Sequence, residues 1–357
     1  MIHIIFPHVW PDRSPSLKGL IGALNRRHIQ YTLYLPPKIA NVGITFERVK
    51  YLRENYLTGC IVRSLLAILR RSNWFEEVLK YLIVQLLLRQ KLPYGCCDAR
   101  HTIVFDFYGL REIVKLNRAA TIYSTEIYSY LESVGMLHPF ERTKIVSQSL
   151  SRSNYVGYNH KRTFIVPNSY APDCEGHVVK KHSLLYSGTF SRPLGSEILI
   201  NLFGMSSGIS HEITIHAANV GCEFHGCGGV NVIRDFLSDD ELTYLISCHE
   251  VGLVFYDTNY VDKLQVFNFE TAPSGKMYRY ASCGVPIIGS RCAGLIDVEL
   301  HSAGILLDEI NVHTLHAAYR QIKSNYANYV SGCRQLMIAS DFNNSIDRFL
   351  DSLEISN

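Results

Sequence analysis

Short runs of β-branched residues alternate along this chain with longer segments that have the apolar spacing of helices. This alternation limits the possible folds more than any other feature, because parallel strands need crossover connections and helices supply them on both faces of the sheet. A first series of strands is predicted near residues 2–6, 31–35, 102–107, 120–124, 155–158 and 163–167. A second series is predicted near residues 183–187, 212–216, 230–234, 251–255, 285–289 and 304–307. We therefore expect an α/β protein with two doubly wound parallel sheets.

The segment between the two series has the composition of a linker. It contains Pro172, Gly176 and a Lys180-Lys181 pair, with few large apolar residues. A chain of 357 residues also exceeds the usual size of one hydrophobic core. We predict a Rossmann-like domain over residues 1–168, a linker over 169–182, a second Rossmann-like domain over 183–340, and a C-terminal amphipathic helix within 341–357. The N-terminal domain is a candidate surface for the apolar face of that helix.

Charge is divided unevenly between the two halves. Residues 1–150 hold 20 Lys and Arg against 11 Asp and Glu, whereas residues 151–357 hold 15 against 21. The excess in the first half indicates an anionic partner. Residues 61–92 place long apolar runs between basic clusters, which fits either two core helices or helices lying on a bilayer surface. Nucleic acid is not expected as a partner, because no motif that binds it is present.

Compartment is predicted from three features of the sequence. No apolar run reaches the roughly 18 residues that cross a bilayer, and the first residues lack a basic, cleavable leader. The ten cysteines lack a disulfide-scaffold spacing, as expected of reduced thiols. A cytoplasmic protein, with membrane association on the cytoplasmic face through residues 61–92, is the prediction.

The stretch from Glu270 to Ile288 carries the clearest functional signal. A Pro-Ser-Gly loop opens an apparent helix and a Gly-x-Pro turn closes it. The N–H groups beside Ser274 and Gly275, the positive end of the helix and the Lys276 ammonium form a candidate site for a diphosphate. The alternative is an ordinary capped helix of an α/β protein.

Other loops that follow strands of the second series point to the same edge of the sheet. Gly188 and Thr189 end a strand where a ligand can approach the backbone closely, and Arg192 is a candidate anion clamp. After the strand at 230–234, Ser238 and Glu241 have the spacing of a capping box, so the acidic residues there are interpreted as helix capping and not as a metal site.

Four segments occur in an order that resembles a known family. They are Tyr186-Ser-Gly-Thr189, Arg234-Asp-Phe-Leu-Ser-Asp-Asp-Glu-Leu242, His249-Glu-Val-Gly-Leu-Val-Phe255 and Ala272-Pro-Ser-Gly-Lys-Met-Tyr-Arg-Tyr-Ala-Ser-Cys-Gly-Val-Pro286. The chain resembles a glycosyltransferase of the GT-B fold, in which two Rossmann-like domains face a cleft. Its second half is similar to the sugar-nucleotide-binding domain of the retaining, family-4-like enzymes.

The resemblance implies transfer of a hexose from a nucleotide-diphosphate-sugar donor to a glycan or lipid-linked acceptor hydroxyl, in cell-surface polysaccharide assembly. It further implies retention at the anomeric carbon, without a metal or another cofactor. Lys276 and Arg192 are assigned to the diphosphate and Glu270 to the donor sugar. Glu126 follows the strand predicted near 120–124, and it either binds or deprotonates the acceptor hydroxyl or is a helix-capping or surface carboxylate. The donor-binding residues are predicted to be Gly188, Thr189, Arg192, Arg234, Asp235, Phe236, Ser274, Gly275, Lys276 and Arg279.

The sequence departs from the family pattern at three places. Arg279 stands where relatives carry a glutamate that binds the nucleotide ribose, and Glu270 is one residue away from the position of a second glutamate. The loop after the first strand, residues 7–12, lacks the usual glycines. Arg279 therefore binds a phosphate, or the nucleotide is held differently, or donor binding is lost. A sugar-nucleotide epimerase of the same architecture and a non-catalytic partner subunit stay open as alternatives.

Overall fold

The computed structural model describes residues 1–6, 11, 14–35, 49–51, 101–106, 120–125, 143–156, 160–170, 180, 182–204, 212–257, 259 and 266–353. The chain divides into two compact units. The first comprises Met1–Val166 together with Asn343–Asn357, and the second comprises Pro167–Phe342.

The first unit is built on a seven-stranded parallel sheet with the order β3-β2-β1-β4-β5-β6-β7. The strands are β1 (Ile2–Ile5), β2 (Tyr31–Leu35), β3 (Val49–Tyr51), β4 (His101–Phe105), β5 (Ala120–Ser124), β6 (Lys144–Ser147) and β7 (Thr163–Ile165). β1 pairs with β2 on one side and with β4 on the other, so the winding reverses between β1 and β4. Two described helices of this unit precede the second unit in the chain, namely α1 (Pro15–Arg26) and α2 (Leu150–Val156).

Helix α1 begins where local chemistry favours a helix start. The Ser14 hydroxyl accepts a hydrogen bond from the N–H of Leu17 at 3.2 Å, and Pro15 occupies the first helical position. Leu17, Leu20 and Leu24 follow at helical spacing and are fully buried. Their burial holds α1 against the sheet.

The second unit is built on a six-stranded parallel sheet with the order β10-β9-β8-β11-β12-β13. The strands are β8 (His182–Ser187), β9 (Ile213–His216), β10 (Val230–Ile233), β11 (His249–Val254), β12 (Ile287–Ser290) and β13 (Gly304–Leu307). The helices are α3 (Ser196–Phe203), α4 (Asp239–Ser247), α5 (Val266–Thr271), α6 (Gly275–Ser282), α7 (Asp297–Leu300), α8 (Val312–Ser324) and α9 (Tyr326–Ala339). Two apolar clusters pack around this sheet, one including Leu199 and Phe255 and the other including Met277 and Leu295.

The last helix, α10 (Phe342–Asp351), packs in the first unit over most of its length. Ile346 and Phe349 are fully buried, and the Phe349 ring meets the Phe164 ring edge-on at a centroid distance of 5.6 Å. Arg27, at the end of α1, donates to the Asp347 carbonyl at 3.0 Å. The chain therefore returns to the first unit after it has completed the second.

The predicted fold class, two Rossmann-like parallel-sheet domains, is confirmed. The strand predicted near 155–158 is wrong, because residues 150–156 form α2, and the strand Lys144–Ser147 was missed. The helix forms at 150–156 because the Ser149 hydroxyl accepts a hydrogen bond from the N–H of Arg152 at 3.1 Å, at the start of α2. The missed strand contains the buried pair Ile145-Val146, which suits an inner strand of the sheet. Val49–Tyr51 was also missed, and its three residues are too few to show a pattern.

Two sequence expectations concern cysteines and membrane spans. Cys222, Cys227, Cys248, Cys292 and Cys333 are free thiols. Cys283 is disulfide-bonded, so the expectation of reduced thiols is wrong there. Within the described ranges, no helix combines the length and the apolar character needed to cross a bilayer.

Candidate diphosphate-binding site

Helix α6 begins beside the carboxyl ends of the strands of the second sheet. It follows β11 in the chain and leads into β12, so its first turn lies on the carboxyl side of the sheet. The preceding loop is held in place by close backbone packing: a Cβ on Gly294 would lie 2.2 Å from the Ala272 carbonyl oxygen. Only a glycine at position 294 allows this approach, which fixes the residues just before Ser274.

The starts of α4 and α6 differ in how their N–H groups are satisfied. In α4, the Ser238 hydroxyl accepts from the Glu241 N–H and the Glu241 carboxylate accepts from the Ser238 N–H, which confirms the predicted capping box. In α6, the buried Ser274 occupies the N-cap position without a side-chain cap bond, and its first turn has no acidic residue. Unlike α4, α6 has no acidic side chain in its first turn to offset its positive end, and such a helix start suits an anion.

Lys276 lies in the first turn of α6 and reaches across to the end of β8. Its Nζ is 3.3 Å from the Tyr186 hydroxyl and 4.3 Å from the centre of the Tyr186 ring. A Cβ on Gly188 would lie 2.6 Å from the Lys276 Cε, and Gly188 has a φ of +141° that favours glycine. Gly188 therefore provides both the backbone conformation and the space that this position of Lys276 requires.

The surroundings of Lys276 disfavour its charge in the absence of an anion. Burial lowers the pKa of its ammonium group from 10.5 to about 8. Among the described residues, Lys276 forms no ion pair. Burial also raises the pKa of Tyr186, so its hydroxyl stays protonated and donates to the Thr189 carbonyl at 2.6 Å. A bound anion would supply the negative charge that the ammonium group needs.

Arg192 occupies a different environment from Lys276. It lies in a short 3-10 turn, Arg192–Leu194, before α3, and its side chain is 64% exposed. Its Nε is 3.0 Å from a carboxylate oxygen of Glu197. Arg192 would have to leave or share this ion pair to bind a phosphate, so we rank it below Lys276 as a diphosphate ligand.

Arg234 and Arg279 both make internal contacts. The Arg234 guanidinium donates to the carbonyls of Val220 and Gly221 at 2.9 and 2.7 Å. The Arg279 guanidinium donates to a carboxylate oxygen of Asp239 at 2.8 Å and to the Asp239 carbonyl at 3.0 Å. Arg279 thus ties α6 to the start of α4, which is a structural role that the sequence did not indicate.

The remaining predicted residues of the second unit lie in loops and at helix ends. Thr189 and Asp235 are exposed, and Phe236 is 69% exposed. Glu270 is exposed near the end of α5. Glu126, residues 61–92 and most of the 7–12 loop lie outside the described residues, so the acceptor, membrane and first-loop predictions remain predictions.

Three residues that shape this site were missed by sequence reasoning. Tyr280 donates toward the Leu185 carbonyl and accepts from the Ser187 N–H at 3.0 Å. Gly252 makes room for the Tyr280 ring, because a Cβ there would lie 2.4 Å from it. The His216 ring contacts Ser187 at the end of β8 and Asp235 in the loop after β10. Of these three residues, Gly252 gave a signal in the sequence, since a glycine inside a strand pattern often marks a close approach.

Comparisons with known proteins identify the fold. No protein-family model matches the sequence, and no curated protein matches it. Among solved structures, sucrose-phosphate synthase from Thermosynechococcus elongatus has a TM-score of 0.65 at 14% identity, with 99% of this chain and 97% of that chain covered. Anabaena HepE in complex with UDP-glucose has a TM-score of 0.63 at 12% identity, covering 98% and 99%.

A third solved structure is described as a UDP-N-acetylglucosamine 2-epimerase from Listeria monocytogenes. Its TM-score is 0.58 at 10% identity, with 100% of this chain and 97% of that chain covered. Together, these likenesses show that the chain has the two-domain GT-B fold. At such low identity, the activity has to be argued from the site.

Proposed function

We propose that this chain is a glycosyltransferase that moves a hexose from a nucleotide-diphosphate-sugar donor to a hydroxyl of a glycan or lipid-linked acceptor. The observation that carries the proposal is the convergence of Lys276, Gly188 and the uncapped start of α6 at one edge of the second sheet. An ammonium group, backbone N–H groups and a helix N-terminus are the chemistry that binds phosphate. Assembly of a cell-surface polysaccharide is the process that we propose for it.

The proposed reaction needs a group that stabilises the leaving diphosphate. Negative charge grows on the diphosphate as the bond between its terminal oxygen and the anomeric carbon breaks. In our proposal, Lys276 and the first N–H groups of α6 take this charge without a metal ion. The acceptor oxygen forms the new bond on the same face, with retention, and its proton passes to the departing phosphate oxygen. Glu270 is assigned to the donor sugar and Glu126 to the acceptor.

Two other functions share this architecture. The likeness to Anabaena HepE with UDP-glucose supports a nucleotide-sugar donor, and the likeness to the Listeria protein keeps an epimerase as the second candidate. A non-catalytic partner subunit is the third candidate, because Arg279 is engaged with Asp239 and stands where relatives have a ribose-binding glutamate. An epimerase alters its donor without an acceptor, and a partner subunit need bind no donor.

Calorimetric titration of the protein with a panel of nucleoside diphosphates and their sugars tests donor binding. Lys276→Ala is expected to weaken binding by roughly 2–4 kcal/mol, because a desolvated charge partner of the diphosphate is lost. Arg192→Ala is expected to cause a smaller loss, since Arg192 is exposed and already paired. Lys323→Ala is the control for removing a lysine, because Lys323 pairs with Glu250 at the amino end of β11, away from the proposed site.

The reaction products distinguish the glycosyltransferase, the epimerase and the non-catalytic subunit. NMR of the reaction should show nucleoside diphosphate released only when an acceptor is added, and EDTA should leave donor affinity unchanged. Conversion of the sugar without an acceptor would favour the epimerase. An absence of binding across the whole panel, or equal affinities in the Lys276→Ala and Lys323→Ala variants, would contradict the proposed site.

A further inference from the structure

His216 lies at the end of β9, the strand between β8 and β10, and its ring contacts the loops after both neighbours. Nδ1 is 2.9 Å from the Ser187 hydroxyl, and Nε2 is 3.1 Å from the Asp235 carbonyl oxygen. Because a carbonyl only accepts hydrogen bonds, Nε2 carries the proton. In the neutral ring, Nδ1 then accepts the proton of the Ser187 hydroxyl. One side chain therefore joins the ends of three adjacent strands.

The bond to Asp235 fixes the backbone just before an exposed aromatic ring. Arg234, the preceding residue, is anchored to the carbonyls of Val220 and Gly221. Two consecutive residues are thus held, and the next residue, Phe236, is 69% exposed. A large exposed ring on a fixed backbone suits a flat partner such as a nucleobase, which binds aromatic faces by stacking.

On its other side, His216 is connected to α6. The Ser187 N–H donates to the Tyr280 hydroxyl at 3.0 Å. Tyr280 is one turn after Lys276 on the same helix. A continuous hydrogen-bonded chain therefore runs from α6 through Ser187 and His216 to the loop that carries Phe236.

We propose that His216 is a positioning residue that sets the spacing between a diphosphate at the start of α6 and a nucleobase on Phe236. It would thereby make the site prefer nucleoside diphosphates to a bare diphosphate. This inference rests on the proposed function, because it takes the diphosphate to bind beside Lys276. Neither His216 nor the chain of bonds through it is part of that proposal.

The test compares the affinities of UDP, GDP, ADP, CDP and dTDP with that of inorganic pyrophosphate, using calorimetry on the full chain. His216→Leu is expected to weaken binding of the preferred nucleotide by roughly 10-fold or more, as the loss of a base-stacking contact does. Binding of pyrophosphate should change less than about 2-fold, because it needs only the α6 end of the site. Phe236→Ala should give the same pattern.

Two conservative variants separate positioning from general support of the fold. His216→Gln can place an amide N–H near the position of Nε2 and keep the bond to Asp235, whereas His216→Asn reaches only the Ser187 side. Recovery of nucleotide affinity in the Gln variant, but not in the Asn variant, is the expected result. Thermal unfolding of each variant shows whether the fold is retained.

Three outcomes overturn this inference. One is unchanged nucleotide affinity in His216→Leu, another is an equal loss of pyrophosphate and nucleotide binding, and the third is no difference between the Gln and Asn variants. In each case the proposed function stands if the wild-type protein binds nucleoside diphosphates. A wild-type protein that binds neither nucleotide nor pyrophosphate overturns both.

Discussion

At the scale of a single residue, the surroundings of Lys276 suit the anion that we propose it binds. Its stem lies over Gly188 and its ammonium group lies against the Tyr186 ring and hydroxyl. These contacts hold the side chain in one place, and burial lowers its pKa to about 8. In the proposed site, a bound phosphate would offset the unfavourable burial of this charge.

The lowered pKa of Lys276 predicts how diphosphate affinity depends on pH. Below about pH 8 the amine is charged in the free and the bound protein, so affinity is at its maximum there. A bound diphosphate raises the pKa, so above pH 8 binding takes up a proton and affinity should fall by about tenfold per pH unit. Calorimetry between pH 7 and 9, roughly one unit on either side of the pKa of about 8, measures this decline.

Lys276→Arg supplies the control for this titration. An arginine stays protonated throughout the interval, so the affinity of this variant should be nearly constant with pH, whatever its absolute value. An identical decline in the variant and the wild type would assign the proton to another group.

Helix α6 and strand β11 form the contact on which the position of the site depends. The Tyr280 ring packs directly over Gly252, where a Cβ would lie 2.4 Å from a ring atom. Gly252→Ala should therefore push α6 away from the sheet and lower the free energy of unfolding by roughly 1–3 kcal/mol, as overpacking does. Urea denaturation measures this change, and nucleotide affinity should fall as well, because the bond from Tyr280 to Ser187 is disturbed.

Gly228→Ala is the matched control at the same scale. A Cβ at Gly228 meets nothing within 4 Å, so this substitution should leave both stability and affinity nearly unchanged. Equal stability of the two variants would mean that α6 and β11 adjust to the added methyl group without cost.

The elements that sequence reasoning predicted correctly are those with a local cause. The Ser238–Glu241 capping box is set by residues three apart, and the parallel sheets follow from strand-like runs between helices. Contacts between residues far apart in the sequence gave no local signal. Arg279 and Asp239 are 40 residues apart, and His216 contacts Ser187 and Asp235 because β9 lies between β8 and β10 in the sheet. The strand predicted near 155–158 failed because local hydrogen bonding at Ser149 favours a helix.

At the scale of the whole molecule, the chain closes its first unit with its last helix. Phe349 in α10 is fully buried against Phe164, 185 residues earlier in the sequence, and Ile346 is buried beside it in the helix. The core of the first unit is therefore complete only when the end of the chain is in place, although the second unit has its own core. Loss of α10 packing should act on one unit and not on the other.

Phe349→Ala tests this division of stability. Removing a fully buried phenylalanine is expected to cost roughly 3–5 kcal/mol, since the cavity it leaves adds to the lost burial. Hydrogen exchange should then accelerate in β1, β2 and α1 of the first unit, whereas the strands β8 to β13 of the second unit keep their protection. Ile338→Ala, at a position that is 69% exposed near the end of α9, should leave exchange in both units unchanged. Equal acceleration in both units after Phe349→Ala would mean that they unfold as one cooperative body, because stability that is shared between the units cannot be lost from one alone.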